Sequence, residues 1–460
     1  MNPILALSGT RQAELIRTGV ISSLELIDLH LDRIAAINPA LNAAIDILAV
    51  SARREAEAVD RRRASGIPLR PLEGVPFSVK DSIEVAGTIC TAGTLGFRLN
   101  PPSTQDATLV ARLRAAGAIP LARTNLPDLL FSFETDNLIY GRANNPWNLT
   151  RTPGGSSGGE SALIAACGSP FGLGSDAFGS VRVPAHCCGI ASIKPTSGRL
   201  SRAGHVPPAG GWGETVWQIG PMARRVEDLL TLMPLLLGPD DRDRTLVPMP
   251  YRAPESTGKL RIAYFTDNGL ATPDADTIAA VRAAAAALAP HVALVEERTP
   301  PSIERAYDLE MKFFAPDGAD GMRAYLKAIG SHRTHPLLDA WLAKHEAFRT
   351  DLAGFANCWS ELDAYRDSMH AFMQDYDAIL SPAASLPAVP HGTSVDDATF
   401  LGFSYTMAHN LTGWPAAVVR AGTSRDGLPI GVQIAARPWR EDVALAIAQA
   451  LEQDFAPPAI

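Results

Sequence analysis

Several scarcities bound what this chain can be. Cysteine occurs five times in 460 residues (Cys90, Cys167, Cys187, Cys188 and Cys358), an odd and scattered set. That usage excludes a disulfide framework and fits a reducing compartment, so a cytoplasmic location is expected. No apolar run reaches the roughly 18–20 residues that span a bilayer. The longest, LLTLMPLLLG and VRAAAAALAP, read as buried helices, and the first residues show neither a basic leader nor a secretion core. Positive charge is in deficit: 41 Lys and Arg against 49 Asp and Glu give a net charge of −8. With no basic stripe, nucleic acid is not an expected partner. Metal ligands are scarce too. His332 and His335 have metal spacing in HRTH but lack companions, so they read as surface residues, and neither metal nor cofactor is expected.

What is present is core material. Hydrophobic residues make up 46% and charged residues 20%, which excludes disorder. The first 65 residues read as helices, QAELIRTG ended by Gly19 and SLELIDLHLDRIAAIN capped by Ser22 or Ser23. Beyond them β-branched runs alternate with helical ones. In DATLVARLRAAGAIPLART, Asp106 is the expected N-cap, Gly117 the stop, and a short strand follows. KLRIAYF, YDAILSP, AAVVRA and GVQIAA read as further strands. Strands separated by helices imply a sheet covered on both faces. Residues 239–258, rich in Pro, Asp and Arg, read as a surface connection within one large α/β domain.

The densest glycine and serine stretch is PGGSSGGESALIAACGSPFGLGSDAFGS, residues 153–180, with two glycine-flanked serine loops and Phe178 among small neighbours. A phosphate loop would need Lys and then Ser or Thr after its second glycine, where Glu160 stands instead. GGSSG fits the G-x-S-x-G nucleophile elbow in two registers, with His205, His391 or His409 available as base. STGK sets Ser256 and Lys259 at S-x-x-K spacing, but in the polar connection, where a turn is the simpler reading. GVPFSVKDSI offers a fourth arrangement, with Lys80 in or beside an apolar strand. A serine hydroxyl is a weak nucleophile unless a base lies within hydrogen-bond reach. Lysine can be that base only when neutral. Lowering its pKa from about 10.4 to about 7 costs roughly 4–5 kcal/mol, which desolvation in an apolar setting supplies.

GVPFSVKD, NPWNLTRTPGGSSGGESALIAA, GLGSDAFGSVRVPAHCCGIASIKPTSGRLS and NLTGWPAAVVRAGTSRDGLPIGVQIAARP, in that order, resemble the amidase signature family. The resemblance runs to the C-terminus, with residues 300–375 poorly matched. It implies a single domain over 1–460 with a mixed, twisted central sheet. Within it lie a helical segment (1–65), a signature region (66–240) and a variable helical segment on the substrate side (300–375). It further implies Lys80 as base, Ser156 as relay serine after a cis peptide bond, and Ser180 as nucleophile. Backbone N–H groups of Ala177, Phe178, Gly179 and Ser180 would form the oxyanion hole. Asp176 and Arg182, matching D-x-x-G-S-x-R, would be a structural ion pair, with Ser157 and Ser175 as supporting hydrogen bonders. Phe131, Phe133, Tyr140, Phe178, Trp212 and Trp217 would line an apolar pocket.

The resemblance implies glycine or alanine, as in most members of that family, where this chain has Phe178. A glycine-only φ there would cost a bulky residue about 1–2 kcal/mol. The activity expected from the resemblance is that of a free-standing serine hydrolase. It would cleave an aryl or alkyl amide, an anilide or a carbamate (urethane) through an acyl-enzyme. The alternatives are an A-type subunit of a tRNA-dependent amidotransferase, an esterase using the same triad, and a non-catalytic scaffold. The expected partner is a small amide or carbamate substrate, without nucleic acid or a membrane span, for a monomer or homodimer.

Overall fold

Short apolar runs with no helical period pair into one sheet. The computed structural model describes residues 1–208, 210–253 and 256–455. Its strands are β1 (Ala44–Ile47), β2 (Pro76–Lys80), β3 (Ile119–Thr124), β4 (Phe171–Asp176), β5 (Ala191–Lys194), β6 (Gln218–Ala223), β7 (Arg261–Tyr264), β8 (Leu294–Glu297), β9 (Ala378–Pro382), β10 (Ala416–Thr423) and β11 (Pro429–Ala436). Their order is β1-β3-β2-β4-β6-β5-β10-β11-β9-β7-β8. β2 runs parallel to β3 and β4, and β7 to β8 and β9, while β4–β6, β5–β10 and β10–β11 are antiparallel. The sheet is therefore mixed, within a single large α/β domain.

Local signals account for most of the boundaries. The helix Ser23–Leu41 opens on a capping box between Ser22 and Glu25, and Gly19 ends Gly9–Thr18 in the left-handed conformation. The apolar runs near 230 and 285 are the helices Val226–Leu236 and Ala275–Leu288, with their inner faces fully buried. Among the described residues no helix is long and apolar enough to cross a membrane. Asp106 differs from the expectation. The helix Thr108–Ala115 has Ala107 at its N-cap without a side-chain bond. Asp106 is drawn elsewhere, accepting from Ala86 N–H at 2.8 Å and pairing with Arg114 at 3.0 Å.

Two large apolar clusters and a small third one, around Leu129, Leu326, Leu338 and Leu342, divide the interior. One joins the sheet to the N-terminal helices and to Glu441–Phe455. The other, rich in Phe, Trp, Tyr and Met, lies under helices drawn from residues 306–372.

β4 was not legible as a strand, because FGLGSD has no β-branched residue and two glycines. The glycines are steric necessities. A Cβ on Gly172 would stand 1.9 Å from Glu160 Oε1 and 2.5 Å from the Ser78 carbonyl oxygen. Helix Gly158–Ala165 and strand β2 thus close on β4 more tightly than any side chain permits. Gly172→Ala is expected to destabilise the protein by about 1–3 kcal/mol. Gly210→Ala, where a Cβ meets nothing within 4 Å, should stay within about 0.5 kcal/mol; urea denaturation of both variants checks the contrast.

Candidate active site

Lys80 is the last residue of β2 and is fully buried. Its Nζ lies 2.6 Å from Ser156 Oγ, 3.2 Å from Ser175 Oγ and 3.5 Å from the Ser175 carbonyl oxygen. Burial pushes the Lys80 ammonium down to about 7, against the opposing pull of Asp176 and Glu160. A neutral lysine has two N–H donors and one lone pair. The two Ser175 acceptors can take the donors, which leaves the lone pair for the Ser156 hydroxyl. Glu160, fully buried, accepts from Ser78 Oγ and from Thr124 Oγ1 at 2.7 Å, and burial raises it to about 7. Lys194 is also buried and lowered to about 7, but it donates to the Pro195 carbonyl and meets no serine. A shifted pKa alone does not mark the site; its partners do.

The Gly155–Ser156 peptide bond is cis. Ser157 N–H donates to the Ser180 carbonyl oxygen at 3.1 Å, so the two serine loops are hydrogen-bonded to each other. Ser157 Oγ lies 3.4 Å from both the N–H and the carbonyl oxygen of Ser175. Ser156, Ser175 and Ser180 all open on one cavity of about 330 Å³.

Asp176 and Arg182 shape the Ser180 loop. Both are fully buried and form a two-point pair at 2.9 Å. Burial alone would raise the Asp176 carboxyl; the Arg182 guanidinium more than offsets this and holds it well below the usual range. Arg182 reaches on to the Thr406 carbonyl, Gln433 Oε1 and Asn410 Oδ1. Asp176 also accepts from Gly179 N–H at 2.8 Å and Val181 N–H at 3.2 Å. Gly179 is therefore not a free oxyanion donor: its N–H is spent on Asp176. The N–H groups of Ala177, Phe178 and Ser180 have no protein partner among the described residues. They remain available to an oxyanion.

Phe178 takes no left-handed φ; that conformation falls on Gly179, at 119°. A Cβ on Gly179 would come within 2.3 Å of Thr406 Oγ1, which itself donates to the Phe178 carbonyl at 2.5 Å. The strain feared for Phe178 is thus carried by the glycine beside it. Its ring is 5% exposed, lines the cavity, and packs edge-on against Phe314 (4.8 Å) and Trp341 (5.2 Å).

The remaining pocket expectations divide. Phe131, Phe133, Trp212 and Trp217 line the cavity, Trp212 at its mouth with 44% exposure against Phe355. Tyr140 does not. It lies beside Thr91, Asp81 and Arg123, drawn there by its hydroxyl. Sequence reasoning missed Phe314, Met322 and Trp341, which arrive from the poorly matched segment, and no local signal marks them. Leu129 and Leu130, also on the wall, hold left-handed φ of 48° and 70°, strain of a kind that gathers at functional sites. Asp176 is the one charged side chain among the described lining residues, and Arg182 neutralises it. His391 sits near Glu134 and His409 is buried behind the loop; His205 alone of the three histidines reaches the cavity. Ser256 merely caps the turn Thr257–Lys259.

Arg182→Met leaves Asp176 charged and unpaired in the interior. Stability is expected to fall by about 3–5 kcal/mol, read from urea denaturation at pH 7. A loss below about 1 kcal/mol would contradict the role given to the pair.

A family model described as Amidase matches residues 25–445. The A-type subunit of the glutamyl-tRNA(Gln) amidotransferase from Roseiflexus castenholzii is 36% identical over 98% of this chain and 96% of its own. Among solved structures, 6-aminohexanoate cyclic dimer hydrolase superposes with a TM-score of 0.86 at 30% identity, covering 98% of this chain and 97% of that one. The corresponding A-type subunit from Thermotoga maritima gives 0.77 at 26% identity, covering 94% and 92%. The full-length curated matches bear the name of an amidotransferase subunit. They correct the expectation of a free-standing amide, anilide or carbamate hydrolase in favour of the A-type alternative, and with it the expectation of a small-molecule substrate alone. The motifs could not make that distinction, because hydrolases and amidotransferase subunits alike resemble this chain over nearly its whole length. The chain belongs to the amidase signature family.

Proposed function

We propose that the chain is an A-type amidotransferase subunit, which hydrolyses a primary carboxamide at Ser180 and releases ammonia for transfer to an acyl group held on tRNA. The observation that carries this reading is the buried Lys80–Ser156 pair. Its serine opens on the same cavity as Ser180, in a chain matched along 98% of its length by an A-type amidotransferase subunit.

Neutral Lys80 accepts the Ser156 proton while Ser156 takes that of Ser180, and Ser180 Oγ attacks the carboxamide carbon. Negative charge gathers on the carbonyl oxygen, opposite the free N–H groups of Ala177, Phe178 and Ser180. One such donor is worth roughly 10²–10³ in rate. The C–N bond then breaks as Ser156 returns a proton to the leaving nitrogen, and ammonia departs. Water repeats the sequence on the ester, releasing the carboxylic acid and restoring Ser180. The acyl portion of the donor lies against Phe131, Phe178, Phe314 and Trp341, so an uncharged acyl chain suits the wall. Charged ends of a donor must reach the mouth near Gly210–Gly213, where water can meet them.

Ammonia release from a panel of primary carboxamides, glutamine included, tests the reading. Ser180→Ala should reduce release by at least about 10³-fold. The wild-type rate should rise through pH 7 to an alkaline plateau, since Lys80 works neutral and its pKa is about 7. Lys80→Met should lower the plateau and erase that limb. Undiminished release by Ser180→Ala overturns the assignment.

A further inference from the structure

His205 has so far no part in the chemistry, although it reaches the cavity and touches the serine beside the base. Its Nδ1 lies 2.9 Å from the Pro207 carbonyl oxygen and its Nε2 lies 3.0 Å from Ser175 Oγ. A carbonyl can only accept, so Nδ1 carries the proton. Burial and the nearby Lys80 and Arg202 charges lower the imidazole to about 3, so the ring is neutral and Nε2 has a bare lone pair. Among the described residues, the donor facing that lone pair is the Ser175 hydroxyl.

We infer that His205 is a positioning residue for Lys80: by taking the single Ser175 proton, it leaves the Ser175 oxygen able only to accept from the lysine. Without that restraint the Ser175 hydroxyl can turn and donate to the Lys80 lone pair, competing with Ser156. The inference rests on Lys80 as the base that activates Ser180.

The backbone keeps the device in register. Val206 N–H donates to the Ser82 carbonyl at 2.7 Å, and Ile83 and His205 form an antiparallel bridge, so the loop is tied just beyond the end of β2. Trp217 lies against the imidazole at 4.7 Å, with Arg202 over its ring at 4.8 Å. The charged and titratable groups around Lys80 are Asp176 from β4, Glu160 from the helix behind it, and His205 with Arg202 from this loop.

The test reads the rate at which a fluorophosphonate labels Ser180, which needs no carboxamide and so stands apart from the ammonia-releasing role. His205→Phe keeps a ring against Trp217 and removes both nitrogens. It should slow labelling at least tenfold on the alkaline plateau. It should also move the acid limb to lower pH, because a donated Ser175 proton stabilises neutral lysine. In a Ser175→Ala background the same change should matter less than twofold, since residues acting through one another are not additive. Equal losses in both backgrounds, or no loss with Ser175 present, overturn the inference. If His205→Phe does not fold, two other variants decide. His205→Gln, which offers an amide oxygen to Ser175, should label within threefold of wild type, and His205→Leu, which offers no acceptor, at least tenfold slower; the reverse order overturns it. A Lys80→Met protein that labels normally removes the base itself, whereas additive losses remove only the role of His205.

Discussion

Lys80 Nζ and Ser156 Oγ stand 2.6 Å apart with both side chains buried, and much of the fold exists to hold them there. A lysine exposed to solvent is charged at neutral pH and has no lone pair to offer. Taking it to the end of a central strand with both neighbours paired removes the water that would stabilise the ammonium. Two carboxylates, Asp176 and Glu160, pull in the opposite direction, and each is occupied by other donors: Arg182 and backbone for one, Ser78 and Thr124 for the other. The fold thus keeps negative charge near Lys80 without a carboxylate bonded to it.

Close approach is the second requirement, and it falls on glycine. Gly172 and Gly174 let β4 lie against Glu160 and Ser157, and Gly179 lets the Ser180 loop pass Thr406. The glycine density of residues 153–180 is a packing demand, concentrated where two serine loops and Lys80 come together. Arg182 then ties the loop to β11 and to the helix Met407–Leu411, segments more than two hundred residues away in sequence.

What was legible in the sequence follows from which interactions are local. Lys80, Ser156, Ser180, Asp176 and Arg182 lie in contiguous motifs whose glycines and charges are visible by inspection. The strands around β10 and β11 carry an apolar pattern of their own. β4 was hidden because its pairing depends on neighbours rather than on β-branched residues. Gly179 was misplaced in the oxyanion hole because a backbone N–H has no side chain to advertise where it points. Phe314, Met322 and Trp341 belong to helices brought over the cavity by long-range packing, and Tyr140 left the pocket for a polar neighbourhood no motif records. The activity class expected from the sequence, a free-standing hydrolase, was overturned by the full-length relatives, because the quoted motifs do not separate hydrolases from amidotransferase subunits.

The central claim is that Lys80 is neutral at the pH where the site works. Titration of lysine labelled with ¹⁵N at Nζ, with the resonance assigned by its loss in Lys80→Met, reads that directly. The account predicts a Lys80 resonance that changes protonation near pH 7. A Lys80 that remains charged up to pH 10 would contradict it.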